Sequence, residues 1–308
     1  MIFPVLPVFL SSVLGVPKAM IGLIDGVGEI VASFLKGASG AWSDKIHRRK
    51  ILVALGYGLS TLVKPFFALI GTGPQALALR GLERAGKGLR TAPRDALITE
   101  SVKDTERGAA FGFQRALDTF GAVLGTLVAF LFLWYAADGG AQGPALQSGT
   151  AYRQLFILSF IPGAIAVVCL LIFVRETPSP ALYVPQPTAP RLPYSSPFKK
   201  FLLVSTLFQL GSASYSFFIL QAHDLGIGLP FVPLVYLAYS LIYALLSKPI
   251  GQWSDRVGRH KVLPLGFFAF AATAVGFALV NSMWVWFFIA LYGVSLAITD
   301  GVSRAYVA

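Results

Sequence analysis

The sequence predicts an all-α, polytopic membrane bundle made of two related halves, and three observations carry that reading. Of the 308 residues, 56% are hydrophobic and 13% charged, with a mean hydropathy of +0.70, too apolar for one soluble domain of this size. Apolar runs of roughly membrane-spanning length recur about ten times, separated by charge or by Gly/Pro clusters. The stretch from Gly40 through Trp42, Ser43, Asp44, Arg48 and Arg49 returns from Gly251 through Trp253, Ser254, Asp255, Arg256 and Arg259. The second copy lies 211 positions later, in the frame Gly-x-Trp-Ser-Asp-[Lys/Arg]-x-x-Arg. Internal repeats on this scale mark chains built from two copies of one helical unit.

Taken in order, the expected spans lie near 1–15, 19–41, 50–72, 76–98, 108–135, 152–174, 198–222, 229–251, 262–281 and 284–308. The first is short: fifteen residues at about 1.5 Å each cover roughly 22 Å of a core near 30 Å. A signal peptide competes for this segment, but no basic region follows Met1 and no cleavage site is evident, so it is read as a helix missing its start. Between 175 and 197 the apolar pattern gives way to Pro178, Pro180, Pro185, Pro187, Pro190, Pro193 and Pro197 among polar residues, which suits an extended linker. The expected organisation is therefore an N-terminal bundle over 1–174 (helices 1–6), a cytoplasmic Pro-rich linker over 175–197, and a partial C-terminal bundle over 198–308 (helices 7–10). Repeat symmetry puts two further helices after the tenth, so a fragment of a twelve-helix protein is expected.

Loop charge sets the orientation. The segments 42–50, 99–107, 175–200 and 252–261 hold about thirteen Lys and Arg, against only Lys18 and Arg153 in the intervening loops. The first set is expected in the cytoplasm. The same distribution accounts for the net charge of +11 without nucleic acid, because no basic face with interleaved aromatics exists.

In each copy of the repeated corner, a glycine near the end of an apolar helix admits a close neighbour. The Asp beyond it can accept from a facing helix N-terminus, and the basic cluster belongs at a membrane surface. These residues resemble the Gly-x-x-x-Asp-[Arg/Lys]-x-Gly-Arg-[Arg/Lys] loop of the major facilitator superfamily, with His47 at the family's glycine in the first copy and Gly258 retained in the second. The resemblance covers the whole chain. It implies two helical bundles and a cytoplasmic gate at Gly40, Asp44, Arg48, Arg49, Gly251, Asp255, Arg256 and Arg259. The function it implies is secondary transport of a small molecule.

Charges inside the spans are costly enough to be functional suspects. On the fourth span Arg80, Arg84, Lys87, Arg90 and Arg94 fall at i, i+4, i+7, i+10 and i+14, a single stripe that must face a polar interior. A structural ion-pair ladder with Asp25, Glu29, Glu83, Asp95 and Asp118 has equal standing. Asp25 and Glu29 share a face of span two, and Glu29, nearer the midplane, is the first candidate for an acid that takes and releases a proton. Arg84 and Gly88 resemble the Arg-x-x-x-Gly of proton-linked family members. With Arg115 and Asp118 these residues make up the expected coupling and substrate network.

Span five carries Gly112, Gly121, Gly125 and Thr126, which resemble the superfamily's antiporter glycines, with Thr126 where the family has Pro. That resemblance implies a tightly packed fifth helix and a drug or metabolite:proton antiporter in the bacterial inner membrane, working by efflux. Taken alone, Gly121 and Gly125 are ordinary small-residue packing. Lys36 and Lys248 are expected to snorkel, and Asp300 with Arg304 to form a local i, i+4 pair.

Other chemistries find little support. The run from Gly81 to Gly88 looks like a phosphate loop, but it has no preceding strand and no Ser or Thr after Lys87. Cys169 is alone, and His47, His223 and His260 lie far apart without ligand spacing. No metal site, cofactor or catalytic triad is expected, and the proton gradient is the expected energy source. The expected partners are the bilayer and a small molecule, anionic or zwitterionic by the basic excess, lipophilic by the glycines, handled by a monomer. A truncated or sensor-like membrane protein that transports nothing is the rival reading.

Overall fold

The computed structural model describes residues 2–46, 48–103, 107–137, 143–174, 196–279 and 282–307. Every regular element among them is helical. The chain divides into two compact units, Met1–Ser179 with Gly228–Pro233, and Pro180–Ile227 with Leu234–Ala308.

In the first unit, α1 (Ile2–Val8) runs into a π-turn at Phe9–Val13, followed by α2 (Lys18–Ile46), α3 (Arg49–Phe66), α4 (Gly73–Glu100) and α5 (Arg107–Ala136). A short α6 (Pro144–Gln147), α7 (Thr150–Leu158) and α8 (Phe160–Phe173) complete it. A Pro in the first turn of α4 starts that helix without losing a hydrogen bond. Gly149, at φ +75, makes the left-handed entry to α7 that a side chain would resist.

The sixth expected span is one membrane-length segment, Thr150–Phe173, interrupted at one residue between α7 and α8. The break falls at Ser159, where Pro162 in the first turn of α8 offers no N–H to the Leu158 carbonyl. In the second unit the seventh span also divides, into α9 (Ser196–Gly211) and α10 (Tyr215–Asp224), with Ser214 capping the latter through the Ser216 amide. There α11 (Val232–Val257), α12 (Arg259–Leu279) and α13 (Val285–Val307) follow. Gly258, at φ +106, makes the turn between α11 and α12.

Among the described residues, six helical segments are long and apolar enough to cross a membrane, and Ile2–Val13 and Val285–Asp300 are shorter apolar helices. The helices α2 and α4 fall outside that apolar set because of the charges they carry.

Helix α4 is the axis of the first unit. A Cβ on its Gly86 would lie 2.6 Å from the Gly56 carbonyl oxygen of α3, and one on Gly88 would lie 2.7 Å from the Ala32 carbonyl oxygen of α2. Backbones this close leave the long basic side chains of α4 to run between helices. Ser39 Oγ donates to the Gly88 carbonyl at 3.1 Å and Ser60 Oγ to the Glu83 carbonyl at 3.1 Å, tying both neighbours to the same helix. Lys50 Nζ donates to the Leu171 carbonyl at 2.8 Å, and Arg153 to the Ala68 and Ile70 carbonyls, fixing α3 antiparallel to α7 and α8. Phe9 meets Phe156 edge-on at 5.2 Å in the apolar end of this unit.

In the second unit α12 crosses α13 at Gly266, where a Cβ would lie 2.7 Å from the Ile298 side chain. Phe208 stacks on Phe267 at 4.2 Å, and Phe218 packs on Tyr292 at 4.6 Å.

Candidate functional site

Because α2 and α4 cross on small residues, their charged side chains meet in pairs. Arg80, 2% exposed, donates from Nη2 to Asp25 at 3.3 Å and from Nη1 to Glu83 at 3.0 Å. Arg84, 3% exposed, donates to Glu29 at 2.7 Å and lies 3.9 Å from Glu83. The Phe3 ring of α1 covers both guanidinium groups, at 4.4 Å from Arg80 and 4.8 Å from Arg84. Helix α1 therefore closes the pair of arginines from one side with an aromatic face.

Further along α4 the partners change. Arg90 donates to Ser60 Oγ at 2.9 Å and lies over the Tyr57 ring at 4.3 Å, both on α3. Arg94 binds Asp95 at 2.8 Å and lies 3.9 Å from Asp118 of α5, which also accepts from Gln114. Lys87 is half-buried on the same stripe. Of the five basic residues Arg80 and Arg84 are buried and Lys87, Arg90 and Arg94 half-buried, and the five acids of the expected ladder supply the ion pairs that Arg80, Arg84 and Arg94 make.

The two α2 carboxylates differ in burial. Glu29 is 57% exposed at its side chain, whereas Asp25 is 11% exposed. Asp25 is the more buried of the two, paired with Arg80, whose guanidinium lies over Phe3.

A cavity of about 530 Å³ opens beside this cluster within the first unit. Phe3, Tyr57, Ser60, Lys64, Arg80, Glu83 and Arg90 line it from α1, α3 and α4, and Gly121, Gly125 and Gly163 from α5 and α8. A Cβ on Gly121 would meet nothing within 4 Å. The α5 glycines Gly121 and Gly125 thus form a wall of the cavity, and no described side chain of the first unit packs on Gly121. Phe3, Tyr57, Ser60 and Lys64 were not among the expected site residues. Lys64 could have been found, as the one charge inside an otherwise apolar span.

At the repeated corner, Arg49 bridges Asp44 at 3.2 Å and Glu100 at 2.9 Å. The expected partner Arg48 is exposed. It stands before the first residue of α3 as its N-cap, and Arg49, the first helical residue, carries the bridge. Gly40 packs against Ala92, whose Cβ would be 3.4 Å from an added Cβ. A Cβ on Gly251 in the second copy would meet nothing within 4 Å among the described residues, and Arg256 is exposed. The side chains of Gly112, Arg115, Asp255, Arg259 and Arg304 lie outside the described residues, as do His47 and most of the linker, 175–195. Asp300 accepts from Tyr243 at 2.6 Å. It borders a second cavity of about 800 Å³, within the second unit, among Phe208, Phe267, Phe270 and Tyr292.

Comparison with known proteins agrees with this architecture. The Major Facilitator Superfamily model matches residues 1–308. The chain is 36% identical over 318 residues to an uncharacterized MFS-type transporter of Methanocaldococcus jannaschii, covering 100% of this chain and 75% of that one. It is 31% identical over 268 residues to an uncharacterized protein of Mycobacterium tuberculosis, covering 83% of this chain and 62% of that one. It thus spans less than two thirds of the mycobacterial protein. Among solved structures, a bacterial homolog of the human lysosomal transporter Spinster, inward-facing and occupied, superposes with a TM-score of 0.69 at 18% identity. That match covers 98% of this chain and 69% of the other and is a likeness of fold. These matches are transporters by family and not enzymes. The chain is a multi-pass membrane protein belonging to the major facilitator superfamily.

Proposed function

We propose that this chain is the membrane-embedded body of a secondary transporter. It moves a small molecule outward across the cell membrane by alternating access, driven by protons moving inward. The observation that carries the coupling is the Arg80, Asp25 and Glu83 cluster: one buried guanidinium held by two carboxylates beneath Phe3. A charge at this depth costs about 2.5–3.5 kcal/mol unless it is paired, so the protonation of Asp25 and the position of Arg80 are tied together. A proton on Asp25 removes one of the two anions on Arg80. The guanidinium then rests on Glu83 alone, at the edge of the cavity, and loss of the proton draws it back to α2. Coupling follows if the two positions favour opposite access states.

The corner at Asp44, Arg49 and Glu100 is the second working part. Its ion pairs join the α2–α3 turn to the end of α4 on the side where positive loops gather, and they suit a gate that opens and closes at modest cost. The outward direction and the drug or metabolite antiporter branch rest on the resemblance of Gly121 and Gly125 to antiporter glycines. The linker over 175–197 is placed in the cytoplasm by its charge. No bound cofactor is invoked.

The test is reconstitution of the chain into proteoliposomes with an imposed pH gradient and a panel of labelled anionic, zwitterionic and lipophilic solutes. The reading expects at least one solute to move against its gradient when the proton gradient is present, and not when an ionophore collapses it. Movement indifferent to the ionophore removes proton coupling, and no movement of any solute removes transport by this chain.

A further inference from the structure

We infer that the cavity of the first unit is an anion site, and that the solute it takes is an amphipathic organic monoanion such as an aryl carboxylate. The inference deepens the transport reading and rests on it for the word solute, but its binding chemistry stands apart from proton coupling. The cavity is lined by three basic side chains, Lys64, Arg80 and Arg90, and by one acid, Glu83. Arg80 is already held by Asp25 and Glu83, and Lys64 and Arg90 add two further positive charges to the wall. Neither meets an oppositely charged side chain at ion-pair distance among the described residues. Arg90 is held by a neutral hydroxyl and an aromatic ring, Ser60 and Tyr57.

Two cations next to a cavity within the membrane body are costly, and an anion between them offsets that cost with charge-assisted hydrogen bonds. The rest of the wall names the rest of the ligand. Phe3, Phe67, Leu124 and Val128 give an apolar surface, and about 530 Å³ is within the range of a small-molecule pocket. Gly163 on α8 sets the position of Lys64, since a Cβ there would lie 3.1 Å from Nζ and 2.8 Å from Thr61 Oγ1. The missing side chain keeps room for the ammonium group at the cavity wall.

The test uses 2-naphthoate as the probe and 2-naphthamide as its neutral isostere, with binding measured by calorimetry on the chain in phosphatidylcholine nanodiscs and no pH gradient. Empty nanodiscs supply the partition background. The acid is expected to bind saturably, at least about tenfold tighter than the amide. Lys64→Met and Arg90→Gln should each weaken the acid by about tenfold and leave the amide unchanged, and Lys64→Arg should restore most of the affinity. Lys36→Met, at an exposed position on α2, should change nothing.

Equal affinity for acid and amide, no saturable binding of the acid, or full affinity in both Lys64→Met and Arg90→Gln overturns the inference. Loss of acid binding when a quarter of the lipid is phosphatidylglycerol overturns the solute assignment in favour of a lipid headgroup. Binding measured at equilibrium survives a failure of proton coupling, so the two readings fail separately.

Discussion

Arg80 on α4 reaches Asp25 on α2 at 3.3 Å with its own side chain 2% exposed, so the most buried charged contact between the two helices is not the shortest, which is Arg84 to Glu29 at 2.7 Å. Breaking a buried pair from one side leaves an uncompensated charge. Arg80→Met, which strands Asp25, is expected to cost about 3–5 kcal/mol of unfolding free energy in micelles. Asp25→Asn is expected to cost less, about 1–3 kcal/mol, because Glu83 stays on the guanidinium. Chemical denaturation followed by tryptophan fluorescence checks both. The double variant should cost less than the two single costs added together.

The helix crossing makes a second prediction. Gly86→Ala places a Cβ 2.6 Å from the Gly56 carbonyl oxygen and 2.9 Å from the Ser60 amide nitrogen, so the α3 backbone must move. A loss of about 1–3 kcal/mol is expected. Gly26→Ala, where nothing lies within 4 Å, is expected to gain up to about 1 kcal/mol from helix propensity. The difference between their melting temperatures in detergent measures the crossing.

Much of this was legible in the sequence, and the rest was hidden for definite reasons. The α4 stripe could be read because Arg80, Arg84 and Arg94 repeat at helical spacing, and its acidic partners because Asp25 and Glu29 stand one turn apart. Which acid is the more buried depends on how α2 lies against its neighbours, and spacing within one helix carries no such information. Arg48 and Arg49 are both expected at the gate, and which of them makes the bridge depends on where α3 begins, at Arg49, with Arg48 as its N-cap. Gly86 and Gly88 look like part of a phosphate loop when read locally, and only the contacts of α4 with α2 and α3 reveal them as crossing points. The cavity needs α1, α3, α4, α5 and α8 together, so no single stretch announces it. Ser159 and the residues around Gly211 hid the helix breaks because hydropathy runs through them without interruption.

The cytoplasmic corner is testable apart from the site. Arg49→Gln removes both ion pairs, to Asp44 at 3.2 Å and to Glu100 at 2.9 Å. Asp44 is 68% exposed, so stability should fall by no more than about 1 kcal/mol. The rate of solute movement in proteoliposomes should change several-fold, and Arg48→Gln should leave it near wild type. Equal effects of the two substitutions would remove Arg49 from the gate.

Orientation follows from the loop charges. In a Cys169→Ala background, Ser101→Cys should react with a membrane-impermeant maleimide only from the cytoplasmic side. Thr72→Cys should react only from the outside. Both positions are exposed at the ends of α4. Labelling of both from one side would contradict the placement.

The most direct measurement of the proposed coupling compares wild type with Asp25→Asn in proteoliposomes, using whichever solute of the panel the wild type moves fastest. With an imposed pH gradient, the wild type is expected to build a solute gradient that Asp25→Asn cannot. Solute exchange without a pH gradient should persist in both. An Asp25→Asn protein that builds the same gradient as wild type would contradict the assignment of coupling to the carboxylate held by Arg80.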